Sequence, residues 1–103
     1  MEVRIWISYD LGENGDIAGM YAWLDRHDAV ECGDSFASLL VNCESRATVE
    51  RDVLAELHEN VKLQQSDRIY LLYRREDNMT KGTFLVGNRK ESPWKGKIKQ
   101  TEK

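Results

Sequence analysis

Asp10 is the residue of this sequence that is best placed to do chemistry. It lies near the end of residues 3–11, where side chains alternate and β-branched and aromatic residues dominate, as they do in β-strands. A loop with two glycines follows at residues 12–15. A carboxylate at a strand end can hold Mg²⁺, which keeps several waters and needs few protein ligands. An aspartate that only forms the turn would stand at the same place, so both interpretations stay open.

Other groups of reactive residues support weaker hypotheses. The sequence has no P-loop, no dinucleotide-binding glycine pattern, no zinc-protease helix and no cysteine or histidine set with zinc spacing. Ser8, Asp10 and His27 supply the residue types of a hydrolase triad, but a triad is recognised by geometry and not by sequence. Asp10 therefore remains the candidate for both catalysis and metal binding.

Three glycines raise the question of a phosphate-binding loop. Gly12, Gly15 and Gly19 lie close together after the first strand. Glu13 and Asp16 stand in the same loop, and their negative charges would repel a phosphate group. We therefore do not expect a phosphate site there.

Charge is distributed unevenly along the chain. The 103 residues carry a net charge of −3 at pH 7. Residues 1–80 hold eight Lys and Arg against sixteen Asp and Glu, whereas residues 81–103 hold seven against two. A domain that binds nucleic acid over its whole surface would be basic, and this one is not. The basic end can still bind a phosphate backbone or an acidic protein partner, or it is a solvated tail.

Length and composition predict one domain at residues 1–88 and a basic, flexible tail at residues 89–103. No apolar run is long enough to span a membrane, and the N-terminus leads directly into a strand, which predicts a chain without a signal peptide. Cys32 and Cys43 lack metal-site spacing and favour reduced thiols. We expect a cytoplasmic protein.

Two segments have the apolar spacing of amphipathic helices. Asp16 is a suitable N-cap for the first, which should end near His27, and Thr48 for the second. Glu56 is expected on the solvent face of the second helix. The predicted apolar stripes are Ile17, Met20, Tyr21 and Leu24 in the first helix and Val49, Val53, Leu54, Leu57 and Val61 in the second.

The remaining strands complete an α+β fold. Strand-like composition occurs at residues 29–32, 35–41, 68–74 and 82–86. The order is therefore β-α-β-β-α-β with an extra C-terminal strand, which is the ferredoxin-like arrangement with both helices on one face of the sheet. In the first strand, the helix-covered face should be Val3, Ile5, Ile7 and Tyr9.

The other face of the first strand suggests an interface. It carries Arg4, Trp6, Ser8 and Asp10, and a tryptophan in the middle of an uncovered strand is typical of a contact surface. We expect two copies to pack through Arg4, Trp6 and Ser8, which would bring two Asp10 side chains towards each other. The last strand could pair with the partner's sheet edge.

Short motifs give a family resemblance. They are Tyr9-Asp10-Leu11, Ser35-Phe36 and the Asp-Arg-Ile-Tyr of residues 67–70. With the element order, they resemble the small CRISPR-associated nuclease-fold family, the non-integrase partner of the spacer-acquisition complex. They also resemble its relative, virulence-associated protein D, a toxin-type ribonuclease. The resemblance implies a homodimer with Asp10 at the interface, bound Mg²⁺, and phosphodiester cleavage or a scaffold role on duplex DNA in antiviral defence.

One departure from that family concerns charge. The loop and first helix are usually basic there, whereas this chain has Glu13, Asp16, Asp25 and Asp28. The acidic residues argue against nucleic-acid binding through this surface. The first hypothesis is thus a Mg²⁺-dependent endonuclease or endoribonuclease, or a homodimer that binds RNA or DNA. The alternative is a non-catalytic dimeric protein-interaction module, for example in a toxin–antitoxin or defence system, with the basic tail as a contact for a protein partner.

Overall fold

The computed structural model describes residues 1–97. The chain forms an α+β fold with two helices and one antiparallel sheet of five strands, as the sequence predicts at that level. The strand order β2-β3-β1-β4-β5 places β1 at the centre. The elements are β1 (Glu2–Asp10), α1 (Ile17–Arg26), β2 (Val30–Gly33), β3 (Phe36–Asn42), a short 3₁₀ turn (Arg46–Thr48), α2 (Val49–Asn60), β4 (Arg68–Arg74) and β5 (Thr80–Val86).

β1 is the central strand, and its side chains alternate between the core and the uncovered side of the sheet. Val3, Ile5 and Ile7 are completely buried and Tyr9 nearly so, whereas every second residue between them is exposed. Hydrogen-bonded neighbours lie on both sides, with Ile7 opposite Ala37 of β3 and Leu71 of β4. The prediction of which face of β1 enters the core is confirmed.

The start of α1 depends on one carboxylate. Asp16 accepts a 2.9 Å hydrogen bond from the amide of Gly19, which is the N-cap interaction that the sequence predicts. Its second oxygen accepts a 2.9 Å bond from the amide of Lys62, after the end of α2. These two backbone donors hold the pKa of Asp16 below its ordinary value. One side chain therefore fixes the start of one helix against the end of the other.

The buried stripe of α1 differs from the predicted one. Trp23 is 1% exposed and lies in the core with Met20 and Leu24, whereas Ile17 and Tyr21 are 43% and 56% exposed. The stripe follows positions 20, 23 and 24, so the helix is rotated relative to the expected orientation. The bulk of the indole decides this rotation, because burying Trp23 removes more apolar surface than burying Ile17.

α2 follows the 3₁₀ turn and has the predicted inner face. Val49, Val53, Leu57 and Val61 are buried, and Leu54 is half-buried. Thr48 stands at the N-cap position as expected, but its hydroxyl makes no bond to a helix amide and instead contacts Asp52 at 2.7 Å.

Both helices pack on the same side of the sheet. Their buried residues join one hydrophobic cluster with the buried residues of β1, β3 and β4. The other side of the sheet has no helix over it in the described part of the chain. Neither helix has the length and hydrophobicity needed to cross a bilayer, as judged over residues 1–97.

Candidate functional site

We call the uncovered side of the sheet the open face. Trp6, Leu40 and Phe84 are 37%, 40% and 45% exposed on it, although all three are large apolar side chains. The face is formed by Arg4, Trp6, Ser8 and Asp10 of β1, Ser38 and Leu40 of β3, Arg68, Tyr70, Leu72 and Arg74 of β4, and Thr80, Gly82 and Phe84 of β5.

Asp10 lies at one end of the open face and is held by an arginine. Its carboxylate is 66% exposed and accepts a 2.6 Å hydrogen bond from the guanidinium of Arg68 on β4. Within residues 1–97 no group of three or more His, Cys, Asp or Glu side chains could hold a metal ion. In a single chain, Mg²⁺ at Asp10 would therefore have fewer than three such side-chain ligands and would compete with Arg68.

The three residues predicted to form a dimer interface lie side by side on the open face. Trp6 stands between Ser38 of β3 and Leu72 of β4. Arg4 donates a 3.2 Å hydrogen bond to the Ser38 hydroxyl, and Ser8 is exposed. The structure describes one chain, so self-association through these residues stays a prediction.

The structure does not bring Ser8, Asp10 and His27 together as a hydrolase triad, since Asp10 pairs with Arg68 and the His27 ring has other partners. One nitrogen of the His27 ring lies 3.1 Å from the carbonyl oxygen of Leu40, and the other contacts the carboxylate of Glu56. Glu56 also accepts a 2.7 Å bond from the indole N–H of Trp23. The prediction that Glu56 lies on the solvent face is therefore wrong, because its carboxylate joins α2 to Trp23 of α1 and to the His27 ring that follows α1.

A carboxylate of the chain occupies the glycine loop. Asp67 is fully buried and accepts a 2.7 Å bond from the amide of Gly12 and a 2.8 Å bond from the amide of Gln64. An anion that bound to this loop would have to displace Asp67. The Asp67 carboxylate therefore connects the loop after β1 to the start of β4.

Opposite Asp10, at the other end of the face, lies a feature that the sequence analysis missed. Arg4, Trp6, Arg46, Arg74 and Thr80 line a pocket of about 250 Å³, which we call the Trp6 pocket. Arg74 is directly opposite Thr80 across β4 and β5, and the Arg46 guanidinium donates a 3.0 Å bond to the carbonyl oxygen of Arg74. Arg4 and Trp6 could have been linked by their period-two spacing, but Arg46 arrives from a turn and has no pattern to reveal it.

The lining of this pocket differs in charge from helix α2. None of its lining residues is acidic. In contrast, α2 on the covered side carries four acidic residues in twelve, namely Glu50, Asp52, Glu56 and Glu59. Lys81 at 2.7 Å and the Tyr73 hydroxyl lower the pKa of Glu50, while burial and Glu50 raise the pKa of Tyr73 to about 12.

Aromatic rings extend across the open face towards β5. The Tyr70 and Phe84 ring centroids are 4.9 Å apart with an interplanar angle of 80°, an edge-to-face contact. Gly82 leaves room for the Tyr70 ring, because a Cβ at position 82 would lie 2.4 Å from the Tyr70 hydroxyl oxygen. Together with Trp6, these rings offer flat apolar surface on three neighbouring strands.

Comparison with family models, with curated proteins and with solved structures found no match for this chain. The function must therefore be argued from the chemistry of the open face.

Proposed function

We propose that this protein is a ferredoxin-like module that binds single-stranded nucleic acid on its open face. One observation carries the proposal: exposed aromatic rings and arginines share this face, while the acidic residues of α2 lie on the covered side. The antiparallel order β2-β3-β1-β4-β5 supports the ferredoxin-like assignment. Single strands suit such a face, because their bases are free to stack on aromatic side chains while arginines contact phosphates.

Binding should be local and sensitive to salt. The net charge of −3 does not attract a polyanion over long distances, so affinity must come from direct contacts. Each phosphate that an arginine neutralises releases counterions, and affinity falls as salt rises. Stacking of one base on an aromatic ring contributes roughly 1–3 kcal/mol.

A fluorescence-polarisation titration with a labelled single-stranded oligonucleotide tests the proposal. Trp6→Ala should weaken binding about 5- to 150-fold, which corresponds to the loss of one stacked base. Tyr21→Ala is the matched control, because Tyr21 is an exposed aromatic residue of α1 on the covered side. Equal affinities of the two variants would exclude Trp6 from the binding site.

A Mg²⁺-dependent nuclease is a second candidate, favoured by the exposure of the Asp10 carboxylate on the same face. It requires a second copy that supplies the partner carboxylate and a cation that displaces Arg68. Asp10→Asn should then abolish Mg²⁺-dependent cleavage of RNA or DNA. Cleavage at the parent rate would exclude a catalytic role for Asp10.

Self-association through Arg4, Trp6 and Ser8 is the competing use of the open face. The exposed Leu40 and Phe84 side chains add apolar area around them. Light scattering on the parent and on Trp6→Glu measures it, and a dimer that the substitution splits would support a protein-interaction module. A dimer that pairs through the β5 edge would leave the open face free for nucleic acid. The basic tail extends to residue 103, and residues 98–103 lie outside the described residues. A protein partner bound by the tail therefore stays a prediction. The cytoplasmic location also stays a prediction.

A further inference from the structure

The Trp6 pocket collects three arginines that form no ion pair within the described residues. Within residues 1–97, Arg4, Arg46 and Arg74 take part in none of the ion pairs. The nearest acidic residue along β1 is Glu2, which lies opposite Asn42 of β3 and does not line the pocket. The other arginines at the ends of this sheet differ, since Arg68 is paired with Asp10 and Arg75 with Asp77.

The pocket brings these guanidinium groups together. Ile5 opposite Tyr73 is the last pair of the β1–β4 ladder, and Arg4 and Arg74 are the residues that follow it on the open face. Like charges that lie close together repel each other. Arg46 adds a third guanidinium from the turn before α2, and its bond to the Arg74 carbonyl oxygen keeps it at the pocket. A bound anion would offset the repulsion.

Other pockets of the described residues do not have this composition. The cavity beside Arg75 is also lined by Arg46 and contains the acidic residues Glu76 and Asp77. The cavity at Glu13 is lined by neutral polar residues apart from that glutamate. A further groove mixes Arg4 and Arg26 with Glu2 and Asp28. The Trp6 pocket differs in combining three arginines, a hydroxyl from Thr80 and an indole surface.

We propose that the Trp6 pocket binds one nucleotide unit, with its phosphate among Arg4, Arg46 and Arg74 and its base against Trp6. Guanidinium groups donate in a planar fork that matches phosphate oxygens, and arginine is preferred over lysine at such sites. The Trp6 side chain, 37% exposed, supplies the apolar surface that a bare phosphate would not need. The unit is either a free mononucleotide or a nucleotide within a single strand. Only the second form rests on the proposed function.

Calorimetric titrations with adenosine 5′-monophosphate and with a single-stranded oligoadenylate distinguish the two sources. The variants Arg46→Gln, Arg74→Gln and Trp6→Ala should each weaken binding at least about tenfold, in the range expected for loss of a charge-assisted contact or a stacked base. Arg26→Gln is the matched control, because Arg26 is an exposed arginine that contacts Asn60 at the helices. Thermal unfolding of each variant checks the fold, and Arg74→Lys replaces Arg74→Gln if the latter unfolds.

The outcomes separate the inference from the proposed function. Variant-dependent binding of the mononucleotide with no binding of the oligoadenylate supports the pocket and overturns single-strand binding. Variant-dependent binding of the oligoadenylate alone supports a nucleotide within a strand. Oligoadenylate binding that all three pocket variants leave unchanged overturns the pocket and keeps single-strand binding elsewhere on the face. If neither probe binds, the pocket is overturned.

Discussion

Arg68 donates a 2.6 Å hydrogen bond to Asp10 across the two neighbouring strands β4 and β1. This ion pair affects how strongly the Asp10 carboxylate can bind a metal ion. An aspartate that already faces a guanidinium has its charge compensated, so a divalent cation gains less by binding to it.

Removing the arginine should therefore improve metal binding. We expect Arg68→Gln to bind Mg²⁺ up to about fivefold more tightly than the parent, because an exposed ion pair contributes up to about 1 kcal/mol. Chemical-shift titration of Asp10 with MgCl₂ measures this affinity. If the parent already binds as tightly as the variant, Arg68 does not compete with the cation, and the case for a metal site at Asp10 becomes stronger.

Glu56 should contribute strongly to stability although it lies on a helix surface. Glu56→Ala leaves the buried Trp23 indole N–H without its acceptor and removes a contact of His27. A loss of about 1–3 kcal/mol in the free energy of unfolding is expected from one unsatisfied buried donor. Urea denaturation measures it. Glu59→Ala on the same helix is the control and should change stability by less than about 0.5 kcal/mol, because Glu59 is exposed. Equal effects would contradict the assigned role of Glu56.

Asp67 should matter more for folding than any acidic residue of the open face. Asp67→Ala leaves the amides of Gly12 and Gln64 without an acceptor. The expected loss is about 2–6 kcal/mol, from two unsatisfied buried donors. Asp10→Ala, which removes an exposed ion pair, should cost about 1 kcal/mol or less. Denaturant midpoints of both variants compare them, and a greater loss with Asp10→Ala would refute the ranking.

The raised pKa of Tyr73 predicts that the free energy of unfolding falls at alkaline pH. Its pKa is raised to about 12 by burial and by the Glu50 carboxylate, whereas an unfolded tyrosine ionises near pH 10. The folded chain therefore keeps this proton longer, so the stabilisation is complete below about pH 10 and is lost as pH rises towards about 12. Tyr73→Phe should have a shallower decline, by up to about 1.4 kcal/mol per pH unit. The pKa of Tyr9 is also raised by burial, but Tyr9 is present in both proteins and contributes equally to the two declines. Identical slopes would contradict the prediction.

The fold follows from patterns that are local in the sequence. Val3, Ile5 and Ile7 alternate as a half-covered strand must, and the helical stripes and turn residues set the order of the elements. The rotation of α1 could not be read in the same way. Ile17 and Tyr21 have the right spacing, but Trp23 takes the core position because it packs beside α2 and finds a hydrogen-bond acceptor in Glu56.

The candidate site was only partly predictable for the same reason. Arg4, Trp6 and Asp10 share a face through the period of one strand, which is visible in the sequence. Arg74 and Arg46 line the same pocket as Arg4 only because of the β1–β4 pairing and the turn before α2, which are long-range features. The Arg68 contact with Asp10 spans 58 residues and has no local pattern either.

The most direct test of nucleic-acid binding is a titration of the ¹⁵N-labelled protein with a single-stranded oligonucleotide, followed by amide chemical shifts. Binding on the open face predicts saturable shifts that cluster at Trp6, Ser38, Leu72 and Arg74, with the amides of α1 and α2 unchanged. Shifts confined to residues 89–97 would assign binding to the basic tail. Shifts confined to the helices would assign binding to the covered side of the sheet. Either result, like an unchanged spectrum, would contradict a binding site on the open face.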